Sequence, residues 1–382
     1  MAHKPEAPSV LSLVQLFSAI AFTGLFRATT YVFRSHRAST FRKDVTLAMI
    51  RTFTSRVTIV QSRYLLPSTT QAYHDWCKKR LTKPATIDVP TPGANVQGKV
   101  QAHWMGSPDA NTVVLYLHGG GYSQSISEGY FHYWDRFLKE HNGAGNGKSL
   151  SVLILSYSLT PEGRWPMQLR EVAATLSYLI DVVGKSPSDI FIAGDSAGGN
   201  LVVATLSHLL HPHPDVPTVK LAVPLRGALL ISPWVSFRTD WDSYTRNLDT
   251  DMLVPGIRRW AAMLMNKTNT DPETDPGPVT GDSYNDALTN DTEWWQGMHH
   301  VVSDVFDWSG GDECLVDAIR EFDLRFEQGW TEGGGAKSRF IHIESPHQIH
   351  IAPIAGMMMD PAGFKSDAQL VIEEWLKSTL EQ

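Results

Sequence analysis

From about residue 96 onward, short apolar runs alternate with stretches of helical periodicity. This alternation narrows the fold more than any other feature of the chain. Residues 113–117, 152–155, 190–193, 228–231, 305–308 and 340–343 have the β-branched and apolar character of strands. Between them, residues 170–183 carry Val172, Leu176, Leu179 and Ile180 at helical spacing, residues 201–210 read as a helix, and LVIEEWLKSTL ends a last one. Strands alternating with helices imply a mostly parallel central sheet with helices on both faces, so the expected class is α/β.

The 382 residues divide unevenly. Residues 1–95 read as an N-terminal helical extension or cap, with apolar periodicity over 45–64 and no strong strand signal, closed by a loop at Pro90, Pro92 and Gly93. Residues 96–382 read as one domain, because strands continue beyond the polar, Pro- and Gly-rich loop 268–291. The segment 9–26 has three readings. It is a candidate membrane anchor, since residues 7–26 hold no charge, but Ser12, Gln15 and Ser18 dilute it. The three-residue spacing of Ser9, Ser12, Gln15 and Ser18 suits a packed amphipathic helix, and Ala19-Ile20-Ala21 suits a signal-cleavage site after His3 and Lys4. An anchor would put the protein at the endoplasmic reticulum or another membrane; a packed helix would leave it cytoplasmic. Two sequons, at Asn266 and Asn290, matter only in a lumen.

A net charge of −7 gives no basic excess, so nucleic acid is not an expected partner. The two cysteines, Cys77 and Cys314, are far apart and fit no metal-ligand spacing, and free thiols are expected. His211, His213, His299 and His300 lack an accompanying carboxylate pattern and read as solvated loop residues rather than metal ligands.

Two glycine-rich segments follow strand candidates. HGGGY, His118 to Tyr122, places Gly119, Gly120 and Gly121 directly after the run 113–117. GDSAGGN follows the run 190–193 and contains G-x-S-x-G as Gly194-Asp195-Ser196-Ala197-Gly198. That pattern forces a tight strand-to-helix turn with the serine exposed upon it. By chance G-x-S-x-G arises in roughly one chain in ten of this length, H-G-G-G in about one in several hundred; the pair carries the argument. Attack by a serine on an ester turns the carbonyl oxygen into an anion, which needs donors already aimed at it. Glycines let a substrate approach bare backbone, so the N–H groups of Gly120, Gly121 and Ala197 are the candidate oxyanion donors. Each is typically worth about 3 kcal/mol in the transition state, against the ~1 kcal/mol that a glycine costs at a strand end.

HGGGY, YSLTPE at 157–162, GDSAGGN and SPW at 232–234 resemble the hormone-sensitive-lipase-like carboxylesterase branch of the α/β-hydrolases. The resemblance runs collinearly over residues ~95–380, makes residues 96–382 the catalytic domain, and implies an acid and then a histidine downstream of Ser196. Where that branch shows D-x-L-x-D, this chain has Glu313-Cys-Leu-Val-Asp317, so Glu313 is the implied acid and Asp312 its rival; Asp317 is expected to orient the loop or cap the next helix. In place of the usual H-G-F stands His350-Ile-Ala-Pro353, like the H-x-x-P form of fungal relatives. His350 is preferred over His347, and His342, inside a strand candidate, is expected to be a buried structural histidine. By the same resemblance the N-terminal helices supply a cap over the site. Trp165, Trp234, Trp260, Trp294 and Trp295 are expected to be packing residues.

The expected function is a serine esterase, with no metal or organic cofactor. It would act on a small-molecule ester, an acetyl or short to medium acyl ester of a hydrophobic alcohol such as a sterol or secondary metabolite. The same triad could perform acyl transfer or lactone chemistry. A non-catalytic small-molecule-binding protein on this fold is the reading from another class. The sequence leaves the oligomeric state open.

Overall fold

Side chains along residues 112–117 point alternately to two buried faces: Val113, Leu115 and Leu117 join one apolar cluster, and Val114 and Tyr116 the other. The computed structural model describes residues 7–381 apart from 35–36, 39, 92, 94–97, 146, 254–255 and 266–278. Pro92, the sequon at Asn266 and residues 268–278 of the polar loop 268–291 lie outside the described residues, as do His3 and Lys4.

Among the described residues, eight strands form one sheet: β1 (Thr86–Pro90), β2 (Lys99–Met105), β3 (Thr112–Leu117), β4 (Leu150–Ser156), β5 (Ile190–Asp195), β6 (Gly227–Ile231), β7 (Val305–Gly310) and β8 (Phe340–Ser345). Their order is β1-β2-β4-β3-β5-β6-β7-β8. β2 is antiparallel to both β1 and β4, and the pairs from β4 to β8 are parallel. This is an α/β-hydrolase fold. β1 corrects the reading of residues 1–95 as wholly helical. It is a five-residue edge strand with one fully buried side chain, Val89, too short and too exposed to leave an alternating apolar signature.

Four helices precede the sheet: α1 (Val10–Thr30), α2 (Phe41–Arg56), α3 (Ile59–Leu65) and α4 (Thr69–Lys79). The periodic stretch 45–64 is thus two helices. Thr58 breaks it, because its hydroxyl accepts from Gln61 N while the Gln61 side chain accepts from Thr58 N, a reciprocal cap that starts α3 afresh. Next come α5 (Glu128–Gly143), α6 (Met167–Ser177), α7 (Ala197–Leu210), α8 (Ser243–Arg246), α9 (Ile257–Met265), α10 (Val316–Glu332), α11 (Ala352–Met359) and α12 (Asp367–Leu380). α6, α7, α9 and α10 pack on one face of the sheet, and α4, α5, α11 and α12 on the other. Trp234, Trp260 and Trp295 are buried in the first core, with Trp165 and Trp294 against its edge. α1 lies along α2, pinned by a buried ion pair between Arg27 and Asp44 (2.6 Å).

Several histidines differ from expectation. His342 is exposed rather than buried, because β8 is the far edge of the sheet; it faces Asp323 at 3.8 Å. His213 is buried and accepts from Asp215 N, and His211 lies 2.8 Å from the Trp294 carbonyl, so this pair braces a loop instead of being solvated. Asn290 is buried and donates to the Ser283 carbonyl. Cys77 and Cys314 are buried free thiols.

The register sets the site. Leu117 pairs with Gly194, and Ile231 pairs with Asp195 on one side and Trp308 on the other, so the four strands end at one level. α7 leaves so close to β3 that a Cβ on Gly198 would sit inside the Leu117 carbonyl oxygen. Gly198→Ala is therefore expected to lower the urea unfolding free energy by about 3 kcal/mol, since backbone on both sides leaves nowhere to relax.

Candidate active site

Ser196 occupies the turn between β5 and α7 with φ 52° and ψ −118°, a positive-φ conformation that a non-glycine residue holds only when its surroundings impose it. Here they do. Its N–H donates to the Ile231 carbonyl (3.0 Å), and its own carbonyl accepts from Asn200 N (2.9 Å) and Trp234 N (3.0 Å). Both backbone groups are committed, and the residue is only 7% exposed, so the serine is buried on its turn rather than exposed upon it.

The glycine loop is held to this turn through Asp195. Its buried carboxylate accepts from Gly119 N (2.8 Å), Tyr116 Oη (2.7 Å) and Tyr130 Oη (2.7 Å). Burial still pushes the carboxyl up to about 6, against the pull of those three donors. His118 is stacked on Tyr157 and lies 3.0 Å from Thr69 Oγ1. Burial lowers it to about 4, so it is a neutral brace at neutral pH. Gly120 and Gly121 both have positive φ (115° and 59°), and Trp260 fills the space where a side chain on Gly121 would go. Among the described residues, the N–H groups of Gly120, Gly121 and Ala197 donate to no acceptor within the protein.

Glu313 and His350 arrive in the loops after β7 and β8, and the two groups meet. His350 Nδ1 is 2.7 Å from Glu313 Oε2 with both residues buried. The other carboxylate oxygen accepts from Gly310 N (3.0 Å). Burial pushes Glu313 up to about 8 and the His350 imidazole down, so one proton shared across the 2.7 Å contact suits the pair better than two separated charges. His350 Nε2 is buried and has no hydrogen-bond partner, and the imidazole is near enough to Asp195, the neighbour of Ser196, for their charges to interact. Asp312 and His347 meet each other instead, 3.6 Å apart at the surface, with the His347 side chain 89% exposed. Asp317 is not a helix cap: its carboxylate accepts from Ser243 N and pairs with Arg246 and Arg320, fastening α8 to α10.

Three supports escape a reading of spacing alone. Asp251 accepts from His350 N (2.9 Å) on one oxygen and Cys314 N (2.8 Å) on the other, clamping the acid and histidine loops together. Ser232 Oγ accepts from Ile351 N (3.0 Å) and hydrogen-bonds Glu313. Asn200 links the glycine loop to the β6 loop, accepting from Tyr122 Oη (2.7 Å) and donating to the carbonyls of Trp234 and Asn285. Asn200 and Ser232 lie inside GDSAGGN and SPW, where a reader of motifs could have found them; nothing around Asp251 marks it. Among the described residues, no three His, Cys, Asp or Glu side chains form a metal-binding group.

A family described as alpha/beta hydrolase fold matches residues 114–287. LipR of Mycobacterium tuberculosis is 32% identical over 209 residues, 54% of this chain and 56% of that protein. An acetyl-hydrolase of Streptomyces hygroscopicus is 28% identical over 62% of this chain and 69% of its own. An acetyl esterase of Salmonella schwarzengrund is 30% identical over 44% of this chain and 50% of its own. The chain thus spans about half to two-thirds of the length of these curated relatives. Among solved structures, an esterase from the bacterial hormone-sensitive lipase family superposes with TM-score 0.56 at 20% identity, covering 98% of this chain and 99% of that one. Carboxyl esterase 2 of Tuber melanosporum superposes with TM-score 0.57 at 17% identity, covering 78% and 85%.

Replacing one carboxylate oxygen of Asp251 by an amide sets a donor against a backbone N–H. Asp251→Asn is expected to cost ~1–3 kcal/mol of stability and to speed hydrogen exchange at the His350 and Cys314 amides. Unchanged protection of both amides would exclude the clamp.

Proposed function

We propose that the chain is a serine carboxylic-ester hydrolase of the α/β-hydrolase kind that its middle segment matches, acting on acetyl or short to medium acyl esters of a hydrophobic alcohol. Ser196 Oγ attacks the ester carbonyl carbon while His350 Nε2 takes its proton. The carbonyl oxygen becomes an anion received by the N–H groups of Gly120, Gly121 and Ala197. Collapse breaks the bond to the alcohol oxygen, which leaves with the proton from His350, and the acyl group stays on Ser196. Water, deprotonated by the same imidazole, attacks the acyl-enzyme, releases the acid and restores the serine. Glu313 holds Nδ1 protonated, so that Nε2 carries the lone pair, and steadies the imidazolium as it forms.

The observation that carries this reading is the buried imidazole that is hydrogen-bonded to Glu313 on one nitrogen and unpartnered on the other. A structural histidine would satisfy both. The acetyl end of the range is favoured by what the relatives from Streptomyces and Salmonella are called, an acetyl-hydrolase and an acetyl esterase.

Ser196→Ala is expected to reduce p-nitrophenyl acetate hydrolysis by at least about ten-thousandfold and to abolish fluorophosphonate labelling; a folded wild-type protein that neither labels nor hydrolyses is a binding protein instead. Glu313→Gln should lower kcat by up to about ten-thousandfold, whereas Asp312→Asn should stay within about twofold; the reverse order would move the acid to Asp312. The base works only as neutral imidazole, and burial moves His350 below its ordinary 6.5, so activity should persist below pH 6.5 and fall only at still lower pH. An acid limb of kcat/KM above 6.5 contradicts this assignment.

A further inference from the structure

A helix on a water-facing surface normally turns its polar side outward. α1 instead exposes large apolar side chains along its outer side, with only Gln15, Ser18 and Thr29 as exposed polar residues between Val10 and Thr30. Its inward side carries Leu16, Gly24 and Arg27, the last two held by Met49 and Asp44, while Leu11, Val14, Phe17, Phe22, Leu25 and Phe26 point away from the protein. The apolar segment Val10–Phe33 has mean hydropathy 1.6 over its most apolar window, of which only 17% is buried, so it is not a core helix. The exposure is also concentrated. Among the described residues, thirteen of the twenty-two exposed large apolar side chains fall between Val10 and Tyr64. Phe41 continues the surface, its ring meeting that of Tyr31 edge-on at 5.4 Å.

Charge follows the same boundary. The first 66 residues hold nine Lys and Arg against two Asp and Glu, a formal +7, in a chain whose total is −7. Everything after Leu66 therefore sums to −14. Within the cationic end, Arg34, Arg37 and Arg42 follow the apolar helix directly. A strongly apolar outer face beside clustered arginines, on a body that anionic lipid would repel, matches a surface of acyl chains beneath anionic headgroups.

The helix is fastened lengthwise. The Ser12 carbonyl accepts from Gln61 Nε2 (2.9 Å), Gly24 fits against Met49, and Arg27 Nη2 reaches the Asp249 carbonyl (3.0 Å) beyond its pair with Asp44; Arg34 closes the far end on Asp249 (2.9 Å). To cross a bilayer, α1 would have to leave these partners and strand the buried Asp44 carboxylate. We propose that α1 instead lies parallel to an anionic membrane, its outer face among the lipid chains and its inner face on the protein, making this a peripheral protein of a single leaflet.

The test is sedimentation of the full chain with phosphatidylcholine vesicles, with and without about 30% phosphatidylserine. Wild type should pellet with the anionic vesicles at least tenfold more than with the neutral ones, and about 0.5 M salt should weaken this. Phe22→Glu with Leu25→Glu should lower binding at least tenfold with an unchanged melting curve, since both side chains are exposed. Absence of wild-type binding, or binding that the double variant retains, overturns the proposal. So does a vesicle-independent dimer that the double variant dissociates, which would make a second copy the occupant. Membrane-bound protein released by alkaline carbonate supports the flat arrangement, and resistance to it overturns it in favour of a span.

Discussion

The carboxylate of Asp195 sits where two glycine-rich segments meet, and the rest of the site is arranged around keeping it satisfied. Removing a carboxylate from water is costly unless its lone pairs are filled. Here one backbone N–H from the glycine loop and two phenols from β3 and α5 fill them. That requirement fixes the distance between the loop after β3 and the turn after β5. It also spends Gly119 N on structure, leaving Gly120 and Gly121 N–H free for something else. Gly198 against the Leu117 carbonyl enforces the same separation by contact.

A second buried carboxylate does the corresponding work on the other side. Asp251 holds one amide from the acid loop and one from the histidine loop, so neither can shift without breaking a bond to the other. Ser232 joins both to the end of β6. Glu313 and His350 are thus oriented by backbone and hydroxyl contacts that are themselves buried.

The N-terminal helices are tied into both halves. Arg51 of α2 donates to the Asp251 carbonyl (2.5 Å), while Arg63 of α3 reaches the carbonyls of Ser123 and Thr160, and Ser62 hydrogen-bonds Gln124 beside the glycine loop. These helices are therefore part of the scaffold that positions the loops. The outward face of α1 is what remains after those inward contacts are made. Its composition is unsuited to water along nearly its whole length.

The sequence alone determined the α/β class, the strands from residue 113 onward, the serine turn and the glycine loop. Those rest on local physics: β-branched runs, helical spacing, and turns that admit only glycine. It also pointed to Glu313 and His350, but through a resemblance; Asp312 and His347 have equivalent chemistry one and three residues away. Their positions differ only in the tertiary structure: past Gly310 and Gly311, Glu313 is buried against His350 and Asp312 lies at the surface with His347, while the clamp at Asp251 holds the His350 amide. The exposure of His342, the edge strand at Thr86 and the structural use of His213 were likewise decided by position in the sheet and by neighbours distant in sequence. Local spacing reports which residues share a face. Which face is buried, and which carboxylate meets which imidazole, depends on contacts between segments up to more than two hundred residues apart, and no window of sequence contains them.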